Sequence, residues 1–323
     1  MCGQEGTIAL SEKSRSFGKS IKMLKKKEER QAVEKMKFAI IGAGRAGRSL
    51  ARALQAAGGE FVAVAGGTAA EPFAEKCGAA FCATAAVAAA LADVALLAVP
   101  DRAMETLAAE LAAADLPPDL VVLHICGSQS AAALAALREK NISIGSLHPL
   151  QSFTEDTEAG CRHLRNIYFA VDGDAPAVKM ARQLIDLLGG KMLIVPGEKR
   201  AIYHAAACMA SNYLVAVLHA AAELMEGCGI AETEALHALQ PIVEGTVRNI
   251  MEQGTTKALT GPLMRGDSLT VERHLAALDD FALPEAELYR AIGRYTVANL
   301  AKNSLLSEVQ VKELQLVLEN KAR

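Results

Sequence analysis

One stretch limits what this chain can fold into more than any other: Lys37 to Leu54, KFAIIGAGRAGRSLARAL. Four consecutive apolar residues, Phe38 to Ile41, read as a short buried strand. Gly42, Gly44 and Gly47 follow in G-x-G-x-x-G spacing, and a helical pattern begins behind them with Leu50 and Leu54 four apart. Each glycine has a steric task in such a unit. Gly42 permits the tight turn off the strand, Gly44 lets backbone approach a pyrophosphate, and Gly47 lets the helix lie close to the strand. The helix opens with unpaired N–H groups and the positive end of its dipole, which places Arg45 and Ala46 in the same phosphate-facing loop. The spacing predicts dinucleotide binding; a strand–helix turn that binds nothing is the alternative.

Strand and helix signals alternate from there to about Gly197. Glu60–Ala65, Asp93–Val99, Leu120–Ile125, Ile167–Val171 and Lys191–Val195 read as strands, with a weaker apolar stretch around Phe81. Helical patterns cover Arg102–Ala114, a segment ending at Arg138, and Ala177–Leu188. Apolar runs without polar alternation suit a parallel sheet covered on both faces. One doubly wound Rossmann domain over residues 36–197 is the economical α/β reading. Strand signals vanish from Glu198 onward. Helices over Arg200–Met225, Ala231–Gln253, Leu269–Leu283, Pro284–Asn303 and Ser307–Asn320 make residues 198–323 an all-α domain for substrate and dimerisation. The first of these is apolar almost all round, so it is expected to be buried in that domain or against a second copy of the chain.

Residues 1–35 carry nine basic and five acidic side chains and read as a basic, solvated extension rather than a secretion signal. A net charge of −3 over 323 residues argues against a nucleic-acid surface. The seven cysteines form no C-x-x-C pair, which argues for a reducing compartment and against a metal site. No apolar run is expected to reach membrane-spanning length, so the expectation is a soluble, cytoplasmic protein acting on a small molecule.

The second strand ends in Gly66-Gly67-Thr68, where a dinucleotide fold usually places a carboxylate on the ribose 2′-hydroxyl. None is present, Thr68 can hydrogen-bond there, and nothing would repel a 2′-phosphate. The expected cofactor is therefore NADP, with NAD the alternative. Val99 and Pro100 end an apolar strand and belong beside the cofactor cleft, and Asp101 is expected to cap the following helix. His148, held extended by Pro149, has the near-neutral pKa that suits moving a substrate proton as hydride moves. His204, Cys208, Ser211 and Asn212 fall on one stripe of the apolar helix and need polar partners, which a substrate, the backbone or a second subunit would supply. Arg265, in the break Thr260–Asp267, either clamps a carboxylate or lies in an interhelical turn whose Asp267 caps the next helix.

The strings GAGRAGR, AVPD, GSLHPLQSF, YHAAACMASNY and LTGPLMRGD follow one another in this order. Together they resemble the bacterial family that joins a Rossmann-like domain to a domain of unknown function 2520, provisionally labelled NADP oxidoreductases. The resemblance spans about Met36 to Leu283. Cys126 stands where that family suggests serine, beside Ser128, which is a candidate substrate contact. More distantly the plan is similar to prephenate dehydrogenases, pyrroline-5-carboxylate reductases and β-hydroxyacid dehydrogenases. That similarity implies a C-terminal domain of the 6-phosphogluconate dehydrogenase type. It implies His148 as the catalytic histidine and Ser211-Asn212 in place of a Ser-His pair that meets substrate. Asn212 departs from the histidine of those enzymes, and the lysine of β-hydroxyacid dehydrogenases has no match.

The leading expectation is an NAD(P)-dependent oxidoreductase moving hydride between nicotinamide and a small polar, carboxylate-bearing substrate in the interdomain cleft. His148 would be the acid/base, with His204, Ser211 and Asn212 orienting substrate. No metal is expected. A noncatalytic dinucleotide sensor is the alternative from another class, and a deazaflavin- or flavin-using reductase is a third.

Overall fold

A computed structural model describes residues 36–155, 157–281 and 283–319; the basic extension at 1–35 lies outside the described residues. By packing, the chain divides into a unit ending at Ser211 and a unit Asn212–Arg323. That division keeps Arg200–Ala210 with the first unit, where Arg200 donates to the Gln129 and Cys126 carbonyls and Tyr203 meets His148.

The first unit is an eight-stranded sheet: β1 (Lys37–Ile41), β2 (Glu60–Ala65), β3 (Ala80–Cys82), β4 (Val94–Leu97), β5 (Val121–His124), β6 (Ser143–Pro149), β7 (Tyr168–Gly173) and β8 (Lys191–Ile194). Their order is β3-β2-β1-β4-β5-β6-β7-β8. The first six strands are parallel; β6 and β7 are antiparallel, and β8 is parallel to β7. β3 has three residues, too few to show a period, which is why only a weak stretch around Phe81 marks it in the sequence.

The side chains of β1 alternate between the two faces. Phe38 and Ile40 pack with Leu50 and Leu54 of α1 (Arg45–Ala56), with α2 (Ala70–Cys77) and with α6 (Ala175–Leu187). Ala39 and Ile41 pack instead with α3 (Ala85–Ala90), α4 (Met104–Ala113) and the 3₁₀ segment Ala131–Lys140. Two apolar cores on opposite faces of a mainly parallel sheet are what doubly wound topology requires. A short helix α5 (Thr157–Arg162) lies in the connection that turns the chain back into β7.

α7 (Arg200–Ala210) follows β8 and a 3₁₀ turn, and it ends at Ser211 (φ −122°, ψ −73°). The single helix expected over Arg200–Met225 is therefore two, α7 and α8 (Asn212–Gly227). Ser211 and Asn212 are residue types whose short polar side chains compete for backbone hydrogen bonds and disfavour a helix interior.

Contrary to the expectation of no membrane-length apolar run, Gly197–Gly227 is long and apolar enough by length and composition, and 6% of its most apolar window is buried. The break leaves helices of 11 and 16 residues, each short of the roughly 20 needed to span a bilayer.

The second unit is helical: α8, α9 (Glu232–Gln253), α10 (Thr255–Ala258), α11 (Pro262–Arg265), α12 (Ser268–Phe281), α13 (Leu283–Lys302) and α14 (Glu308–Glu319). Val271, Leu275, Val297, Leu314 and Leu318 form its core from α12, α13 and α14.

Candidate active site

The first six strands run the same way, so the loops after β1, β4, β5 and β6 all leave from one edge of the sheet, where open α/β folds place ligands. The glycine loop follows β1. Gly42 has φ +105°, and a Cβ there would collide with the Ala98 carbonyl. A Cβ on Gly47 would run into the Gly42 carbonyl and the Ala98 side chain. The fold itself therefore explains both of these glycines. Gly44 is different: its φ is −72°, and no atom would lie within 4 Å of a Cβ built on it. Open space in front of an ordinary backbone at the mouth of α1 fits a dinucleotide pyrophosphate.

Beside the loop, Gly42 N–H donates to the Ala65 carbonyl (2.8 Å), which ties it to the end of β2, where Thr68 is exposed and no carboxylate stands. Arg45 and Arg48 both reach Glu155, at 3.5 and 3.7 Å. After β4, Val99 is half-buried and the Pro100 carbonyl accepts from Ala103 N–H in a 3₁₀ turn. Asp101 starts that turn instead of capping α4. Its carboxylate accepts from Ser128 Oγ at 2.5 Å. Burial pushes the Asp101 carboxyl up, but hydrogen bonds from Ser128 and Cys126 and the nearby histidines outweigh this, and it lies below its ordinary value.

A polar band crosses the same edge. Register places His124 of β5 next to Ser146 of β6, and Ser146 next to Asp172 of β7. Asp172 accepts from Ser146 Oγ and from Ala131 N–H (2.8 Å). His124 is fully buried; its Nε2 donates to the Ser130 carbonyl (3.0 Å) and its Nδ1 accepts from Cys126 N–H (3.2 Å). Burial holds its pKa below the ordinary histidine value.

Arg200, at the start of α7 and 1% exposed, reaches into this band. Its Nε donates to the Gln129 carbonyl (3.1 Å), its Nη2 to the Cys126 carbonyl (2.9 Å), and its Nη1 lies 3.9 Å from Asp172. One guanidinium thus fixes the loop Cys126–Gln129 from below, and its planar fork suits two carbonyls at once.

Gly127 in that loop has no room for a side chain, because a Cβ would strike His148 Nε2 and His204 Nδ1. The two imidazoles meet edge to face, centroids 5.8 Å apart. His148 Nδ1 lies 2.9 Å from the Tyr203 hydroxyl, and His204 Nε2 lies 3.6 Å from Cys208 Sγ. His204 Nδ1 is buried without a hydrogen-bond partner among the described residues. Burial, and after it the positive charge of Arg200 and the neighbouring His204 and His124, push His148 down to about 4. The near-neutral value expected from the sequence does not hold: His148 is a neutral imidazole at pH 7.

Of the residues expected at the site, His148, His204 and Ser128 come together around Gly127. Ser211 lies at the end of the same unit, in the break, so it does not continue a helical stripe from His204. Asn212 and Arg265 belong to the second unit. There Asp267 Oδ1 accepts from Thr270 N–H (3.0 Å), capping α12, and the Arg265 carbonyl accepts from Gln310 (3.2 Å). Tyr203, Arg200, Asp172 and His124 had not been expected. The available signal was a charged or polar side chain at the end of an otherwise apolar strand or start of an apolar helix.

Among solved structures, the fold is similar to a Bacteroides fragilis protein provisionally described as an NADP oxidoreductase, with a TM-score of 0.68 and 22% identity over 82% of this chain and 98% of that one. It is also similar to the 1-pyrroline-5-carboxylate reductase of Streptococcus pyogenes (TM-score 0.59, 15% identity, 88% and 99% covered). The imine reductase of Myxococcus stipitatus, solved with NADP+, gives a TM-score of 0.55 at 16% identity, with 83% and 94% covered. No curated protein matches the sequence significantly. Residues 37–126 match the family described as NADP oxidoreductase coenzyme F420-dependent, and residues 167–296 match the domain of unknown function 2520. The two models thus match successive parts of the chain, an NADP oxidoreductase domain first and the domain of unknown function 2520 after it.

Proposed function

We propose that the protein is an NADPH-dependent reductase of a small polar substrate bearing a C=O or C=N group, with His148 beside the reacting atom. The observation that carries this reading is the arrangement on one sheet edge: a glycine loop with space at Gly44, and two histidines closing over Gly127. NADPH, when bound, supplies the hydride. Gly42, Gly44, Arg45, Ala46 and Gly47 would hold its phosphates, with Thr68, Val99 and Pro100 lining its path. NADH is the weaker alternative, since no carboxylate follows β2.

His148 acts as a neutral imidazole, giving or holding a hydrogen-bonded proton at the substrate heteroatom. His204, with a free Nδ1 facing the same glycine, orients the substrate. Ser128, bound to the Asp101 carboxylate, is a further polar contact. Ser211, Asn212 and Arg265 remain candidate substrate contacts on sequence grounds, and Arg265 fits a carboxylate-bearing substrate.

A homodimer is part of the proposal. Ile202 (70%), Tyr213 (62%) and Val215 (68%) on α7 and α8 are exposed in the single chain, and Ile242 and Met251 on α9 are exposed as well. Apolar surface of this extent on helices is suited to isologous packing with a second copy. Light scattering at micromolar concentration should give twice the chain mass, and a monomer would remove the argument. Cys82, Cys126, Cys208 and Cys228 carry free thiols, a cysteine usage that supports a reducing, cytoplasmic setting.

The test of function combines binding and a substrate screen. Calorimetry should show NADPH binding to the wild type and strong weakening in Gly44→Val, whose side chain would fill the open space. Keto acids, imines and aldehydes are then screened by nicotinamide absorbance. Equal binding by both proteins, or none by either, overturns the reading of the loop.

A further inference from the structure

The Tyr203 hydroxyl lies 2.9 Å from His148 Nδ1, and no other acceptor for the phenol proton is within hydrogen-bond distance among the described residues. If Nδ1 carried the imidazole proton, the phenol oxygen would accept it and the phenol's own O–H would have no partner among the described residues. The arrangement that satisfies both groups has Tyr203 donating to Nδ1 and the imidazole proton on Nε2, the nitrogen that faces Gly127. The Arg200 guanidinium lies 5.6 Å from the centroid of the Tyr203 ring. Arg200, Tyr203 and His204 sit at i, i+3 and i+4 of α7, which brings all three to one side of that helix.

From this geometry we propose that Tyr203 backs His148 as a proton reservoir, so that the site is set for reduction. The inference rests on the reductase reading above. In the step, the reduced substrate atom takes the proton from His148 Nε2, Nδ1 takes the proton of Tyr203, and the phenolate left behind lies beside the positive Arg200. Solvent then gives one proton to Nε2 while Nδ1 returns its proton to the Tyr203 phenolate, which restores the phenol and the starting tautomer. Each atom gives one proton and receives one, and the imidazole stays neutral before and after.

The need for such a reservoir follows from the surroundings of His148. Arg200, Tyr203 and His204 face it from α7, His124 from β5, and Asp101 from the turn after β4. With its pKa near 4, about one imidazole in a thousand is charged at pH 7. An imidazolium acid would be almost absent, whereas a neutral donor with a phenol behind it is always present. Burial holds the Tyr203 phenol above its ordinary value, with Arg200 pulling the other way, so the O–H is intact at neutral pH. Tyr203 acts through His148 and is a positioning residue in this scheme, with no contact to substrate required.

Nitrogen-15 NMR of the full-length, nucleotide-free protein at pH 7 tests this without a substrate. His148 Nδ1 should resonate as an unprotonated, hydrogen-bonded nitrogen and Nε2 as a protonated one. In Tyr203→Phe the Nδ1 resonance should move to the position of a free acceptor. A proton on Nδ1 overturns the proposal, because Nε2 could then only accept, which suits oxidation. With a substrate in hand, Tyr203→Phe should lower kcat for reduction about 100-fold, with KM for NADPH near wild type. A kcat within about twofold of wild type would also overturn it. If calorimetry shows no NADPH binding, the reductase reading fails on its own, and the tautomer result still decides the hydrogen bond.

Discussion

Arg200→Met tests whether one buried guanidinium holds the site loop. The wild-type side chain donates to the Gln129 and Cys126 carbonyls at 3.1 and 2.9 Å and lies 3.9 Å from Asp172. Methionine fills similar space but leaves both carbonyls and one side of the Asp172 carboxylate unpaired. A hydrogen bond from a charged donor contributes about 1.5–3 kcal/mol, and removing one partner of a buried ion pair costs about 3–5 kcal/mol. Asp172 keeps Ser146 and Ala131 as donors, so the ionic part lies at the low end of that range. The two hydrogen bonds and the 3.9 Å ion pair belong to one side chain and do not add, so the expected loss is about 3–4 kcal/mol, or a fall in Tm on the order of 10 °C for a unit of this size. Urea titration followed by circular dichroism measures it, with Arg200→Lys alongside. Lysine keeps the charge but cannot span two carbonyls with one ammonium, so it should recover less than half of the loss. A loss below about 1 kcal/mol in Arg200→Met, or a lysine variant equal to wild type, would refute the argument.

Two further outcomes follow from the same surroundings. Gly127→Ala places a methyl group against His148 Nε2 and His204 Nδ1, so turnover should fall about 100-fold while calorimetry shows NADPH affinity near wild type. Unchanged turnover would mean the histidines do not need their present positions. For pH, His148 falls from an ordinary value of 6.5 to about 4 on folding, so the unfolded chain binds its proton first as the solution is acidified. Stability from this group is complete above about pH 6.5 and is lost as pH falls toward 4, by up to about 3 kcal/mol, with His124 shifted in the same direction. Urea midpoints across that range should drop in the wild type and drop less in His148→Asn; parallel curves would count against the buried histidine.

The nucleotide-binding half was legible because its signals are local. An apolar run, three spaced glycines and a helix stand within 18 residues of sequence, and Glu60–Ala65 matches β2 residue for residue. The antiparallel turn into β7 was not legible, since strand direction depends on how the connection over residues 150–167 folds back, and a short apolar run reads the same either way. The break at Ser211 was missed because apolar periodicity continues through it. Of the site, His148 carried a signal in its Pro149 neighbour, and His204 in its helical position. Tyr203 and Arg200 carried none beyond their polarity, because their roles come from register. His124, Ser146 and Asp172 are adjacent only after three strands pair, and Arg200 finds its carbonyls only after α7 packs on that edge.

The acid stability of the protein and its chemistry have one cause in this reading. The burial and the Arg200 charge that keep His148 uncharged make the folded protein less stable in acid. They also remove the imidazolium as a proton donor at neutral pH, which is what gives Tyr203 a task. A stability curve measured with no substrate therefore bears on the mechanism. If the urea midpoint holds steady from about pH 6.5 to about 4, His148 takes up a proton freely in the folded state. An imidazolium would then be available near its ordinary pKa, kcat for reduction would fall as pH rises through that value, and Tyr203→Phe would leave turnover nearly intact. If the midpoint falls as expected, kcat should stay flat from about pH 6 to about 9, because neither the neutral imidazole nor the phenol behind it titrates in that interval.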